Sequence, residues 1–127
     1  MSIFGSLFQS KSDKNSVDHW NALQSLEQWE TLIDRSFQHP VVIFKHSTRC
    51  VISRMALRDF ESTGLTSGTN ESFYLLDLIS FRSVSDAISK HTSVVHQSPQ
   101  VIVLKNGKAE YNASHSSISY DTVVDYL

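Results

Sequence analysis

Blocks of apolar residues along this chain switch between helical spacing and unbroken runs, and the switches predict its elements. After a polar stretch over residues 10–16, residues 19–23 predict a short edge strand. Ser25-Leu26-Glu27-Gln28 then reads as a capping box, in which the serine accepts from a free first-turn amide and the glutamine reaches back. Leu26, Trp29, Leu32, Ile33 and Phe37 fall on one face of a helix. His39-Pro40 closes it, since a residue before proline disfavours the α region. Val41-Val42-Ile43-Phe44 is a continuous apolar run, as in a central strand covered on both faces.

Helical spacing returns at Ile52, Met55, Ala56 and Phe60, so Cys50 falls at a strand-to-helix junction. Residues 64–70 are a loop of Gly, Ser and Thr, and residues 73–79 a second buried strand. Val84, Ala87 and Ile88 mark a shorter helix with Ser83 or Ser85 as its cap. Ser98-Pro99 precedes a strand over 101–104, Asn106-Gly107 supplies a type I′ turn, and residues 109–113 form the return strand. Val123, Val124 and Leu127 predict a terminal helix. The order is β-α-β-α-β-α-β-β-α. It predicts an α/β fold whose central mixed sheet, parallel in its first part and closed by an antiparallel hairpin, is flanked by helices. A flexible tail over 1–17 precedes one domain over 18–127.

Composition narrows the function classes. The 127 residues are 40% apolar and 19% charged, which suits one compact domain. A net charge of -2 with no basic stripe argues against nucleic acid as a partner. No apolar run approaches the roughly 20 residues of a membrane span. Ile3, Phe4, Leu7 and Phe8 would form one apolar face on a short helix, but the segment is too short for a signal-peptide core. One cysteine cannot form a disulfide within the chain, so a monomer in the reducing cytoplasm is expected.

That cysteine carries the candidate chemistry. A helix start leaves amides unpaired and bears partial positive charge, and both favour a thiolate, the species that attacks disulfides. His46 and Arg49 add positive charge nearby, and Ser47, Thr48 and Arg49 weigh against the alternative of a buried, inert cysteine. Ser53 stands where a dithiol redoxin places its resolving cysteine; a hydroxyl there can bond sulfur but cannot resolve a mixed disulfide. Pro99 precedes a strand 49 positions later, as a cis proline beside the thiol would, although a trans proline is the commoner strand starter. The six histidines form neither a helical His-x-x-x-His pair nor a finger, so no bound metal is expected.

These residues give the chain a resemblance to a known family. Phe44-Lys45-His46-Ser47-Thr48-Arg49-Cys50-Val51-Ile52-Ser53, Tyr74-Leu75-Leu76-Asp77-Leu78, His96-Gln97-Ser98-Pro99-Gln100, Lys105-Asn106-Gly107-Lys108 and Ala113-Ser114-His115 resemble the YtxJ-like monothiol bacilliredoxins of the thioredoxin-like superfamily. The likeness runs from about Trp20 onward; Val51 departs from it, standing where related redoxins often carry proline. The resemblance implies a thioredoxin-like fold and a monothiol thiol-disulfide oxidoreductase. In this reading Cys50 removes a low-molecular-weight thiol, bacillithiol or an equivalent co-substrate, from client protein cysteines through a mixed disulfide. Thr48, Arg49, Ser53 and His46 would lie beside the thiol, and His96, Gln97, Ser98 and Pro99 would contact substrate. The competing classes are a non-catalytic client-binding module of the same fold and a single-cysteine redox sensor.

Overall fold

The computed structural model describes residues 20–64 and 72–127; the amino-terminal tail lies outside the described residues. The elements run β1 (Asn21–Ala22), α1 (Leu26–Arg35), β2 (Val41–His46), α2 (Val51–Gly64), β3 (Phe73–Asp77), α3 (Arg82–Thr92), β4 (Gln100–Lys105) and β5 (Lys108–Ser114). A 3-10 turn (His115–Ser117) and α4 (Tyr120–Val124) follow. One sheet forms in the order β1-β3-β2-β4-β5. The first three are parallel neighbours and β4 pairs antiparallel with β5, as the element order predicts; β4 also runs antiparallel to the central β2, a pairing the element order left open.

Every residue of β2 is buried because the strand is central and covered on both faces. Strand alternation sends Val42 and Phe44 to one face and Val41 and Ile43 to the other. On the first face Trp20 packs against Phe44, Phe60 and Phe73 with ring centroids 5.7, 5.8 and 6.0 Å away, under Leu57 of α2 and Val123 of α4. On the second, Trp29 and Leu32 of α1 and Val84 and Ile88 of α3 cover Ile43, Leu76 and Ile102.

Ser25 caps the helix as predicted, its Oγ accepting from Gln28 N at 3.1 Å, while Gln28 Oε1 reaches one residue beyond the box position and accepts from Gln24 N. The helix nevertheless stops at Arg35, so Phe37 leaves the expected apolar face and is 60% exposed. A tertiary contact competes there. Ser36 O and Ser36 Oγ accept from the amides of Asn106 and Gly107, each at 2.8 Å, which docks the hairpin turn on the end of α1. That turn has φ of 51° at Asn106 and 76° at Gly107, the pair a type I′ turn requires. Neither Ser83 nor Ser85 caps α3. Phe81 holds the N-cap position without a side-chain bond, and Ser85 is buried one turn in, against His96.

Candidate functional site

Strand β2 ends at His46, level with Asp77 at the end of β3. The chain then turns through Ser47, Thr48 and Arg49, with Cys50 N donating to Ser47 O at 3.2 Å. Cys50 O accepts from Arg54 N at 3.0 Å, the first bond of α2, so the cysteine sits at the helix's N-cap position and is half-buried. Thr48 and Arg49 are exposed, and Arg54 Nη1 donates to Thr48 O at 3.2 Å, fastening the turn to the helix.

Ser53 is fully buried, and its hydroxyl is engaged away from the sulfur. It accepts from Ser47 N at 3.0 Å and lies 2.9 Å from His46 Nδ1. Since its own proton would otherwise be unpaired in a buried site, Ser53 donates to Nδ1, and His46 carries its proton on Nε2. Burial holds the His46 pKa below its usual 6.5; Asp77 opposes that shift and Arg54 adds to it. Ser53 therefore clasps the end of β2 to the first turn of α2.

The second half of the site arrives through the sheet. Lys45 pairs with Gln100 across β2 and β4, so continuing the register lays Ser98-Pro99 beside His46 and Ser47. The Ser98-Pro99 bond is cis, and Pro99 O accepts from His115 N at 3.0 Å. Pro99 is buried and Gln97 exposed, while Ser98 Oγ is buried with no partner among the described residues. His96 turns the other way: its ring Nδ1 lies 3.2 Å from Ser85 Oγ on α3. Burial first, then Lys45 and Arg82, lower its pKa against the pull of Asp86. The fold thus brings Cys50, His46, Ser53 and the Ser98-Pro99 segment to one edge, and sends His96 to the opposite face of the sheet.

Sequence reasoning assigned no role to two buried polar residues. Lys45 is fully buried under α3 with its Nζ 3.4 Å from Ser89 Oγ, and burial lowers its pKa to about 8 despite Asp86. Beside it, Gln100 Nε2 donates to Val95 O at 3.0 Å and Ser114 Oγ at 3.3 Å, while its Oε1 has no partner among the described residues. The available signal was a lysine closing an otherwise apolar strand.

Two concavities flank the Cys50 turn. An open groove of about 310 Å³ lies on the helix side, between Ile52 and Ala56 of α2 and His115 and Ser116. On the first turns of α2, Val51, Ile52 and Met55 are each more than half exposed, although the helical spacing of the last two predicts a core face. A cavity of about 230 Å³ lies on the strand side, lined by Ala22, His46, Thr48 and Asp77 among others.

A family model described as monothiol bacilliredoxin BrxC matches residues 21–123. A solved structure described as a candidate oxidoreductase with a thioredoxin fold is 30% identical, covers 82% of this chain and 89% of its own, and superposes with a TM-score of 0.67. Thioredoxin from Fasciola hepatica is 16% identical, with 84% of this chain and 99% of that chain covered and a TM-score of 0.66. Thioredoxin from Malassezia sympodialis is 18% identical over 84% and 86% of the two chains, with a TM-score of 0.64. At such identities the two thioredoxins establish the fold, which is thioredoxin-like.

Proposed function

Because the chain belongs to the monothiol bacilliredoxin family, we propose that it is a monothiol thiol-disulfide oxidoreductase of the YtxJ-like branch, freeing client cysteines from a bacillithiol-like small thiol. The observation that carries this reading is the placement of Cys50 at the opening turn of α2, half-buried, with Ser53 engaged elsewhere.

The exchange balances as follows. The Cys50 thiolate attacks the small-thiol sulfur of a client–S–S–R disulfide. The Cys50–S–R bond forms, the S–S bond to the client breaks, and the client sulfur leaves with the electron pair and takes up a proton. Cys50 is thereby oxidised and the client cysteine reduced. A second small thiol, as thiolate, then attacks R–S, giving R–S–S–R′ and returning Cys50. With one cysteine in the sequence, no step can be resolved within the chain.

In this reading Ser98 and Pro99 present backbone to an extended client segment, and Thr48 and Arg49 border the attacking sulfur. The test is intact-protein mass spectrometry after mixing with a peptide capped by a small thiol. The wild type should gain the cap within the dead time of manual mixing and lose it to added thiol. Cys50→Ser should gain none while keeping a native circular dichroism spectrum. Transfer by that variant, or wild-type transfer no faster than by a free peptide cysteine, would refute the proposal.

A further inference from the structure

The groove on the helix side of the cysteine turn is lined by three apolar residues, Ile52 and Ala56 of α2 and Ile118, and by Asp59, His115 and Ser116. Val51, Ile52 and Met55, at 57, 63 and 58% exposure, spread an apolar surface over the first two turns of α2. Large apolar side chains clustered beside a groove mark a contact surface.

The chain itself supplies a segment that fits. Ile3, Phe4, Leu7 and Phe8 are four large apolar residues within six positions, and residues 1–8 contain no charged side chain. Each such side chain gains roughly 1.5–3 kcal/mol when fully removed from water, and the segment falls far short of the roughly 20 residues of a membrane span. The described chain begins at Trp20, on the α2 side of the sheet. Its ring stacks on Phe60 at 5.8 Å, and its Nε1 donates to Glu61 Oε2 at 2.7 Å. From Phe60 back to Ile52 is about 12 Å along the helix, and crossing over the helix adds about 10–12 Å. Eleven residues separate Phe8 from Trp20, and they reach at most about 36–40 Å. The tether therefore spans the gap. It holds the segment at an effective concentration on the order of millimolar, which favours it over a free peptide of the same character.

We propose that the segment over residues 3–8 docks in cis in the groove between α2 and the turn at His115 and Ser116, covering Val51 and Ile52. Cys50 immediately precedes Val51, so the docked segment stands over the approach to the sulfur. A small disulfide or thiol passes beside it, whereas a protein-sized reactant has to displace it. The contact is a gate on the size of what reaches Cys50. It holds whichever reaction Cys50 carries out, so its test is independent of the exchange reading above.

In the first experiment p-benzoylphenylalanine replaces Phe8 in the full chain, and the photocross-link is mapped by mass spectrometry. The link should fall within one chain, on α2 near Ile52 or on the turn at His115, with a yield independent of protein concentration. Access is then read as the rate of Cys50 modification by a maleimide carrying a long polyethylene glycol chain, against the rate with iodoacetamide. Phe4→Ser combined with Phe8→Ser changes none of the core residues. It should raise the rate with the bulky reagent about fivefold, as for a segment docked about four-fifths of the time, and leave the iodoacetamide rate unchanged. Ile52→Ser, at an exposed position, should do the same from the groove side, and combining all three substitutions should add nothing further. Cross-links only between chains would give the groove to a second copy and overturn the proposal. Cross-links elsewhere on the chain, preferential links to added phosphatidylcholine vesicles, or no links would overturn it as well. So would equal bulky-reagent rates in the wild type and the Phe4→Ser/Phe8→Ser variant, or gains from the two sides that simply multiply.

Discussion

Replacing Lys45 with methionine is expected to stabilise the protein. The ammonium is fully buried on the α1/α3 side of β2, with one hydroxyl contact, Ser89 Oγ at 3.4 Å. Burial takes its pKa from 10.5 to about 8. At about 1.4 kcal/mol per pH unit, holding the charge inside the fold at neutral pH costs roughly 3 kcal/mol. Allowing for solvent screening at the end of the sheet, about 2 kcal/mol should be recovered by an apolar side chain of similar length, raising Tm by about 8 °C. The pH dependence carries the diagnosis. Between about 8 and 10.5 the unfolded chain binds the proton that the folded chain has released, so wild-type stability rises with pH across that window. The variant lacks this rise. Urea unfolding followed by tryptophan fluorescence should therefore show its advantage in full at pH 7, reduced by about half at pH 9.5. A variant less stable than wild type at pH 7, or an advantage unchanged between the two pH values, would refute the reasoning.

Three further outcomes are expected. Ser53→Ala orphans the buried amide of Ser47 and leaves His46 Nδ1 without its donor, and should cost about 1–3 kcal/mol in denaturant unfolding. His46 and His96 both have folded pKa values below 6.5, so the unfolded state takes up protons first on acidification. Thermal stability should then fall as pH drops from 6.5 through the folded values, and His46→Asn should flatten part of that slope; a profile flat from pH 7.5 to 5 would contradict it. Gly107→Ala forces a side chain onto φ of +76° and brings a Cβ within 3.0 Å of the exposed Phe37 ring, and a loss of about 1–2 kcal/mol should appear as a lower urea midpoint.

What the sequence determined by itself was local and periodic. The buried run at Val41 to Phe44, the serine cap at Ser25, the Asn106-Gly107 turn and the strand-to-helix step at Cys50 are short-range signals, and each is found in the fold. With the crossover rule they give the parallel layer and the closing hairpin, but not the strand order or the antiparallel pairing of β4 with β2. The tertiary structure alone decided where the polar groups went. Helix α1 stops short of Phe37 because a turn 70 residues away docks on Ser36. The hydroxyl of Ser53 faces His46 because the end of β2 packs against the first turn of α2. The cavity beside Thr48 gathers side chains from residue 20 to residue 81, a set with no period and no spacing to read. Periodicity reports which face of an element is covered; it carries no information about which distant element does the covering, and the chemistry of this site is set by that choice.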